Sequence, residues 1–170
     1  CLEDPDHIDT GRNWSYPLEE FSGVFTPDAI VLRSSEATGY QFEEYQRMNF
    51  ITVAAYHKPS TYTSTDGSLR LSKEYEAKTE KKIRIMLDIA VLKGMDSLIL
   101  SAFGSGAYGN PPEHLAQIFS RVLAEYDGYF QHVYFAIFND HNSMKKHNPD
   151  GNIIPYEKVF GQGSTIQYPY

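Results

Sequence analysis

From Leu98 to Glu113 the chain reads Leu-Ile-Leu-Ser-Ala-Phe-Gly-Ser-Gly-Ala-Tyr-Gly-Asn-Pro-Pro-Glu, with glycine at 104, 106 and 109. Glycine takes up positive φ and lets a backbone come close to a ligand, so a glycine turn after an apolar run can aim bare N–H groups outward. The chemistry this suits is anion binding, phosphate above all, strengthened when a helix begins just beyond the turn. Such a start is expected here, with Asn110 as N-cap, Pro111 as the first helical residue and Glu113 at N3. A strand-to-helix connection with no ligand seldom needs so much glycine.

Other chemistry is weaker. Gly104-x-Gly106-x-x-Gly109 matches a dinucleotide fingerprint literally. That fingerprint, however, opens a first βαβ unit and places its third glycine inside the helix, whereas here Pro111-Pro112 follow Gly109. Ser101, Ser105 and Asp96 lack the strained elbow of a nucleophilic serine. Asp140, His141, His147 and Asp150 lie close in sequence, but their spacing matches no standard metal site. His57 and His114 have no neighbouring nucleophile to serve. The acid pairs Glu19-Glu20 and Glu43-Glu44 read as solvated surface. No catalytic residue, metal or cofactor is therefore assigned.

The elements that must hold the glycine turn follow from periodicity. Ala29–Arg33 and Asn49–Ala55 are expected as strands, with a turn at Thr26-Pro27-Asp28, a loop or short helix over Ser34–Gln46 and a loop over residues 59–68. A long helix should run from Ser72 to Lys93-Gly94, burying Ile83, Met86, Leu87 and Ala90 and exposing Lys81, Lys82 and Arg84. Strand Ser97–Ser101 feeds the turn. The helix from Pro111 to about Glu125 buries Leu115, Ile118, Phe119, Val122 and Leu123. His132–Phe138 is a further strand, and Tyr156–Phe160 a last short apolar element. Residues 1–28 form an N-terminal arm pinned by Trp14, Tyr16, Leu18 and Phe21, residues 29–140 an α/β core, and residues 141–170 a polar C-terminal extension.

Composition sets outer bounds. The 170 residues suit one domain, 41% of them are hydrophobic, and the formal net charge is −7. With no dense basic patch, duplex nucleic acid is not expected as a partner. The one cysteine, Cys1, excludes an intrachain disulfide. No run approaches the ~18 apolar residues of a membrane span and no signal peptide is visible, so an intracellular location, cytoplasmic or nuclear, is expected and a membrane partner is not.

Ser101-Ala-Phe-Gly-Ser-Gly-Ala-Tyr-Gly-Asn-Pro-Pro112, the helix after it and Val133-Tyr-Phe-Ala-Ile-Phe138 resemble the macrodomain family, specifically its microbial-type poly(ADP-ribose) glycohydrolase-like branch. The resemblance implies a three-layer α/β/α macrodomain-like fold with a mixed, mostly parallel sheet that binds ADP-ribose or an ADP-ribosylated protein. It places the diphosphate on Gly104, Ser105, Gly106, Ala107, Tyr108 and Gly109, with Phe103, Asn110, Phe138 and Asn139 bordering the adenine and ribose. Active members of the branch carry an upstream glycine-rich loop followed by Gln-Glu-Glu, and no such segment occurs here. The expectation is a chain that opens after that loop, on Cys1 rather than Met, and lacks the first strands. An upstream segment or another protein chain would then complete the sheet. Two functions stand: an ADP-ribose-binding part of a glycohydrolase, inactive alone, or a non-catalytic binding or structural module.

Overall fold

The computed structural model describes residues 17–35 and 38–161; Cys1, Trp14 and Tyr16, and with them most of the expected arm, lie outside the described residues. The class is mixed α/β. Nine elements follow in order: β1 (Val24–Arg33), β2 (Phe42–Thr52), β3 (Thr61–Thr63), β4 (Leu69–Leu71), α1 (Lys73–Leu92), β5 (Ser97–Leu100), α2 (Pro112–Ala124), β6 (His132–Phe135) and α3 (Ile153–Phe160). The described strands form three two-stranded sheets: β1–β2 and β3–β4 are antiparallel, and β5–β6 is parallel.

Three expected irregular segments lie in strands. The turn at Thr26-Pro27-Asp28 is a bulge inside β1: the register slips between Thr26 and Ala29, Asp28 has φ of 51°, and its N–H donates to Asn49 Oδ1 at 3.0 Å. Proline removes a ladder donor there, so the strand bends and continues. Residues 42–46 belong to β2 rather than to a loop or helix. Pairing with β1 makes them a strand even though they are exposed. Likewise Thr61–Thr63 pairs with Leu69–Leu71 within what reads as a loop.

The helices match the sequence closely. The Ser72 side chain caps α1 by accepting from Tyr75 N–H. The helix ends in a Schellman pattern, with Gly94 N–H donating to Val91 O and Met95 N–H to Ala90 O, and Gly94 at φ of 66°. Ile83, Leu87 and Ala90 of α1 pack with Leu115, Ile118, Phe119 and Val122 of α2 and with Leu98 and Leu100 of β5, all buried. α3, which falls in the 141–170 extension, adds Tyr156 to this core. Lys82 departs from expectation. It is buried at 4% exposure, its ammonium donates to Glu20 O, and it lies 4.6 Å from the Tyr56 ring centroid. Burial lowers its pKa.

His114 ties three elements together. Only 2% exposed, its Nδ1 accepts from Leu71 N–H at 2.9 Å while Nε2 lies 3.4 Å from Glu76. Arg121 pairs with Glu76 and Glu80, and Arg84 with Glu125, joining α1 to α2 along the outside. Burial lowers the His114 pKa against the opposing pull of Glu76, so the folded state holds it neutral.

Other apolar residues face outward. Ile99 is 66% exposed, Tyr134 59% and Phe42 72%. The face of β5–β6 carrying Ile99 and Tyr134 has no covering helix among the described residues.

Two outcomes are expected. With no other chain present, the 170-residue protein should self-associate in light scattering, and Phe42→Asp with Ile99→Asp should shift it toward monomer. A chain that stays monomeric at all concentrations would contradict this. Because His114 has a lowered folded pKa, the stability it confers is intact above the unfolded value of 6.5 and is lost as pH falls below it. Thermal melts should therefore drop between pH 7 and pH 5, and a His114→Gln variant, weaker throughout, should lose that part of the slope.

Candidate functional site

The loop after β5 begins where the core stops. Leu98 and Leu100 are buried, and Phe103, 8% exposed with φ of 32°, turns its ring into the core against Phe119, 6.3 Å between centroids. Gly104 follows at φ of 84°, where an added Cβ would sit 2.8 Å from both Ala55 Cβ and Asn110 Nδ2. Both backbone conformation and space therefore demand glycine.

Asn110 closes the loop from inside. At 1% exposure, its Nδ2 donates to Tyr56 O at 2.8 Å and Gly104 O at 3.1 Å, and its own N–H donates to Gly104 O at 3.1 Å. It is not the N-cap: Pro111 holds that place with no side-chain cap, which moves Pro112 to N1 and Glu113 to N2. The amide is already used across the loop, so it cannot also reach back to the helix. Asn110 and Phe103, both expected to border a ligand, are interior supports.

Within this frame the loop uses some of its N–H groups internally. Phe103 donates to Ser101 Oγ, Ser105 to Ala102 O and Gly109 to Gly106 O. Among the described residues, the N–H groups of Gly104, Gly106, Ala107 and Tyr108 have no acceptor. Ala107 and Tyr108 are exposed, and Gly106 is half-buried. Gly106 differs from its two fellow glycines, since its φ lies outside the left-handed region. An added Cβ there would point toward Asn142 Cβ and Asp140 Oδ2, each 3.8 Å away. What its missing side chain leaves is a gap between the loop and the 140–142 turn, beside the free donors. The Ser105 hydroxyl is buried and has no partner among the described residues.

The segment after β6 forms the facing wall. Phe138 is 66% exposed. Asn139 Oδ1 instead accepts from Asn152 N–H at 2.7 Å and so fixes the start of α3. Asp140 accepts from the Asn142 backbone and side chain, and those bonds, the Asn142 amide foremost, hold its carboxyl below the ordinary range. Asp150 pairs with Lys158, and His147 Nε2 meets Ser105 O at 2.8 Å. The acids and histidines of this segment thus serve separate partners. No three His, Cys, Asp or Glu side chains converge among the described residues.

Neither acid pair presents a free general acid to the loop. Glu20 Oε1 accepts from the Tyr56 hydroxyl at 2.9 Å with Lys78 at 3.5 Å, and the Tyr56 bond above all lowers its pKa, so it is ionised at neutral pH. Glu43 and Glu44 lie on exposed β2. The sequence missed Tyr56, His57 and Lys58 as loop neighbours: Lys58 N–H donates to Tyr108 O at 2.7 Å, and the His57 and Tyr108 rings meet edge-on at 5.3 Å. The Lys58-Pro59 pair was a visible signal only of a strand's end.

No family model and no curated protein matches the chain. Solved structures do. Poly(ADP-ribose) glycohydrolase from Deinococcus radiodurans in complex with ADP-ribose is 21% identical with a TM-score of 0.65, covering 81% of this chain and 51% of that one. The enzyme from Thermomonospora curvata is 26% identical with a TM-score of 0.64, covering 81% and 47%. The fold is that of the bacterial poly(ADP-ribose) glycohydrolases, the branch to which the loop sequence points, and the chain spans about half the length of these relatives.

Asn110→Ala should lower unfolding free energy by about 1–3 kcal/mol, because it removes the buried amide that donates to Tyr56 O and leaves Gly104 O with only the backbone N–H of residue 110. Denaturant melts check this. A neutral result would show that the loop does not hang on this amide.

Proposed function

We propose that this chain supplies the diphosphate-binding part of an ADP-ribose site of the poly(ADP-ribose) glycohydrolase type. The observation that carries the reading is the set of free N–H groups at Gly104, Gly106, Ala107 and Tyr108, held at the end of a parallel strand by a buried clamp. Such a cradle favours a charge-dense anion and needs no lysine to do so. Relatives of the same fold were crystallised with ADP-ribose, which supports that anion as the diphosphate of this ligand. Ser105 and Gly109 then shape the cradle, while their N–H groups serve the turns.

In this reading Tyr108 packs near the distal ribose, and the exposed ring of Phe138 offers a stacking face for adenine. The ligand would be ADP-ribose free or carried on a protein, in an intracellular setting. Cleavage of the ribosyl bond needs a carboxylic acid at the leaving oxygen. Asp140, beside Gly106, is engaged by Asn142, and Glu20 by Tyr56. The chain's own residues therefore bind and orient, and the acid belongs outside the described residues. The same engagement favours, as a second reading, a module that binds without cleaving.

Gly106→Val keeps an ordinary φ, so it should fold, but its methyl groups fill the gap beside the free donors. Calorimetry should show ADP-ribose binding at least tenfold weaker in this variant with an unchanged melt. Unaltered affinity in a folded variant would remove the assignment. The chain alone should release no ADP-ribose from modified protein. Turnover that disappears in Glu20→Gln would show that this glutamate is the acid after all.

A further inference from the structure

On the outer flank of the glycine loop lies a cleft of about 560 Å³, walled on one side by Ala107 and Gly109 and on the other by the β3–β4 hairpin. We infer that this cleft is a second phosphate site, adjoining the N–H cradle at Ala107, which takes a phosphate group carried on a sugar or nucleoside.

The charge pattern makes the case first. In a protein of net charge −7, the lining includes Lys58, Lys146 and His147 and no acidic residue. Neither lysine joins an ion pair among the described residues. Two lysines lining one concave space, with no acidic residue in the lining to balance them, raise the local concentration of anions.

The backbone that carries these residues is held on both sides of the cleft. Lys58 sits at φ of 49°, a conformation lysine seldom adopts, and is held there by its N–H bond to Tyr108 O. Its stem crosses the loop, with Cγ 3.9 Å from where a Gly109 Cβ would be. The stretch bearing Lys146 and His147 is fastened by Asn148, 1% exposed, which accepts from Lys145 N–H and donates to Asn152 Oδ1 and Asn142 O. His147 completes the attachment through Ser105 O. Thr61, Tyr62 and Thr63 line the opposite wall, and the Tyr62 ring, 45% exposed, offers a face to a carrier group. The space exceeds a bare phosphate ion and fits a small metabolite.

The test uses the full chain with inorganic pyrophosphate as probe, followed by calorimetry and by backbone NMR shifts. Pyrophosphate should bind and move the signals of Lys58, Lys146 and His147. Lys58→Gln with Lys146→Gln should weaken binding at least tenfold at an unchanged melting temperature, while the same change at exposed Lys73 and Lys93 should not. No binding by the natural chain, or equal affinity in the Lys58/Lys146 variant, overturns the proposal. A titration with ADP-ribose held at saturation distinguishes the two sources of phosphate. Persisting pyrophosphate binding supports an independent phosphorylated ligand, and its loss shows that the cleft only receives a phosphate of the molecule on the loop, which also overturns a separate site. Failure of ADP-ribose to bind would remove the function proposed above and leave the pyrophosphate result standing.

Discussion

The buried amide of Asn110 is the joint on which this structure turns. It spans from the loop carbonyl of Gly104 to the chain after β2 at Tyr56 O, and its own N–H closes the ring of residues 104–110. A buried amide left unpaired is costly, so the geometry that satisfies it is strongly preferred. Around it Gly104 sits at positive φ, Lys58 N–H donates to Tyr108 O, and the N–H groups of residues 106–108 have no acceptor among the described residues. The loop is closed from inside by this amide, while the buried Ser105 hydroxyl beside it has no partner among the described residues.

Around this joint the fold uses two kinds of attachment. Apolar stripes on α1 and α2 form the core with β5, as their periodicity requires. Polar residues then fix how the helices sit. His114 accepts from β4 while facing Glu76 of α1, and the arginine pairs at Arg84 and Arg121 run along the helix–helix seam. The exposed pairs add little stability each, whereas the buried imidazole sets registry among three elements. Beyond the seam, the outward face of β5–β6 and the long β1–β2 hairpin expose large apolar side chains. That exposure marks surface suited to further protein contact.

The two proposed sites, on the glycine loop and on its flank, would attract an anion in different ways. The cradle uses backbone dipoles, which have no titration and demand close approach. The cleft beside it uses ammonium groups, which act over a longer range and tolerate varied ligands. The −7 net charge makes this local concentration of positive charge more informative than it would be on a basic protein.

Local rules were enough for the helices and the loop. The helix start near Ser72, Gly94 as a helix stop, the stripe from Leu115 to Val122 and the glycine turn after β5 could all be read in the sequence, since each depends on neighbours within a few residues. Residues 42–46 could not, because a polar stretch becomes a strand only once β1 lies beside it. Nor could the fates of single polar residues. Asn110 looked like a cap and Lys82 like a solvated face, yet each is buried by partners 54 and 62 residues away, and His114 by one 43 away. The sequence determined the two long helices and the place of the glycine turn, but not that Ile153–Phe160 is helical. Which polar groups go inside, and that Lys58 and Lys146 face one cleft, depended on contacts between distant segments, which periodicity and capping do not encode.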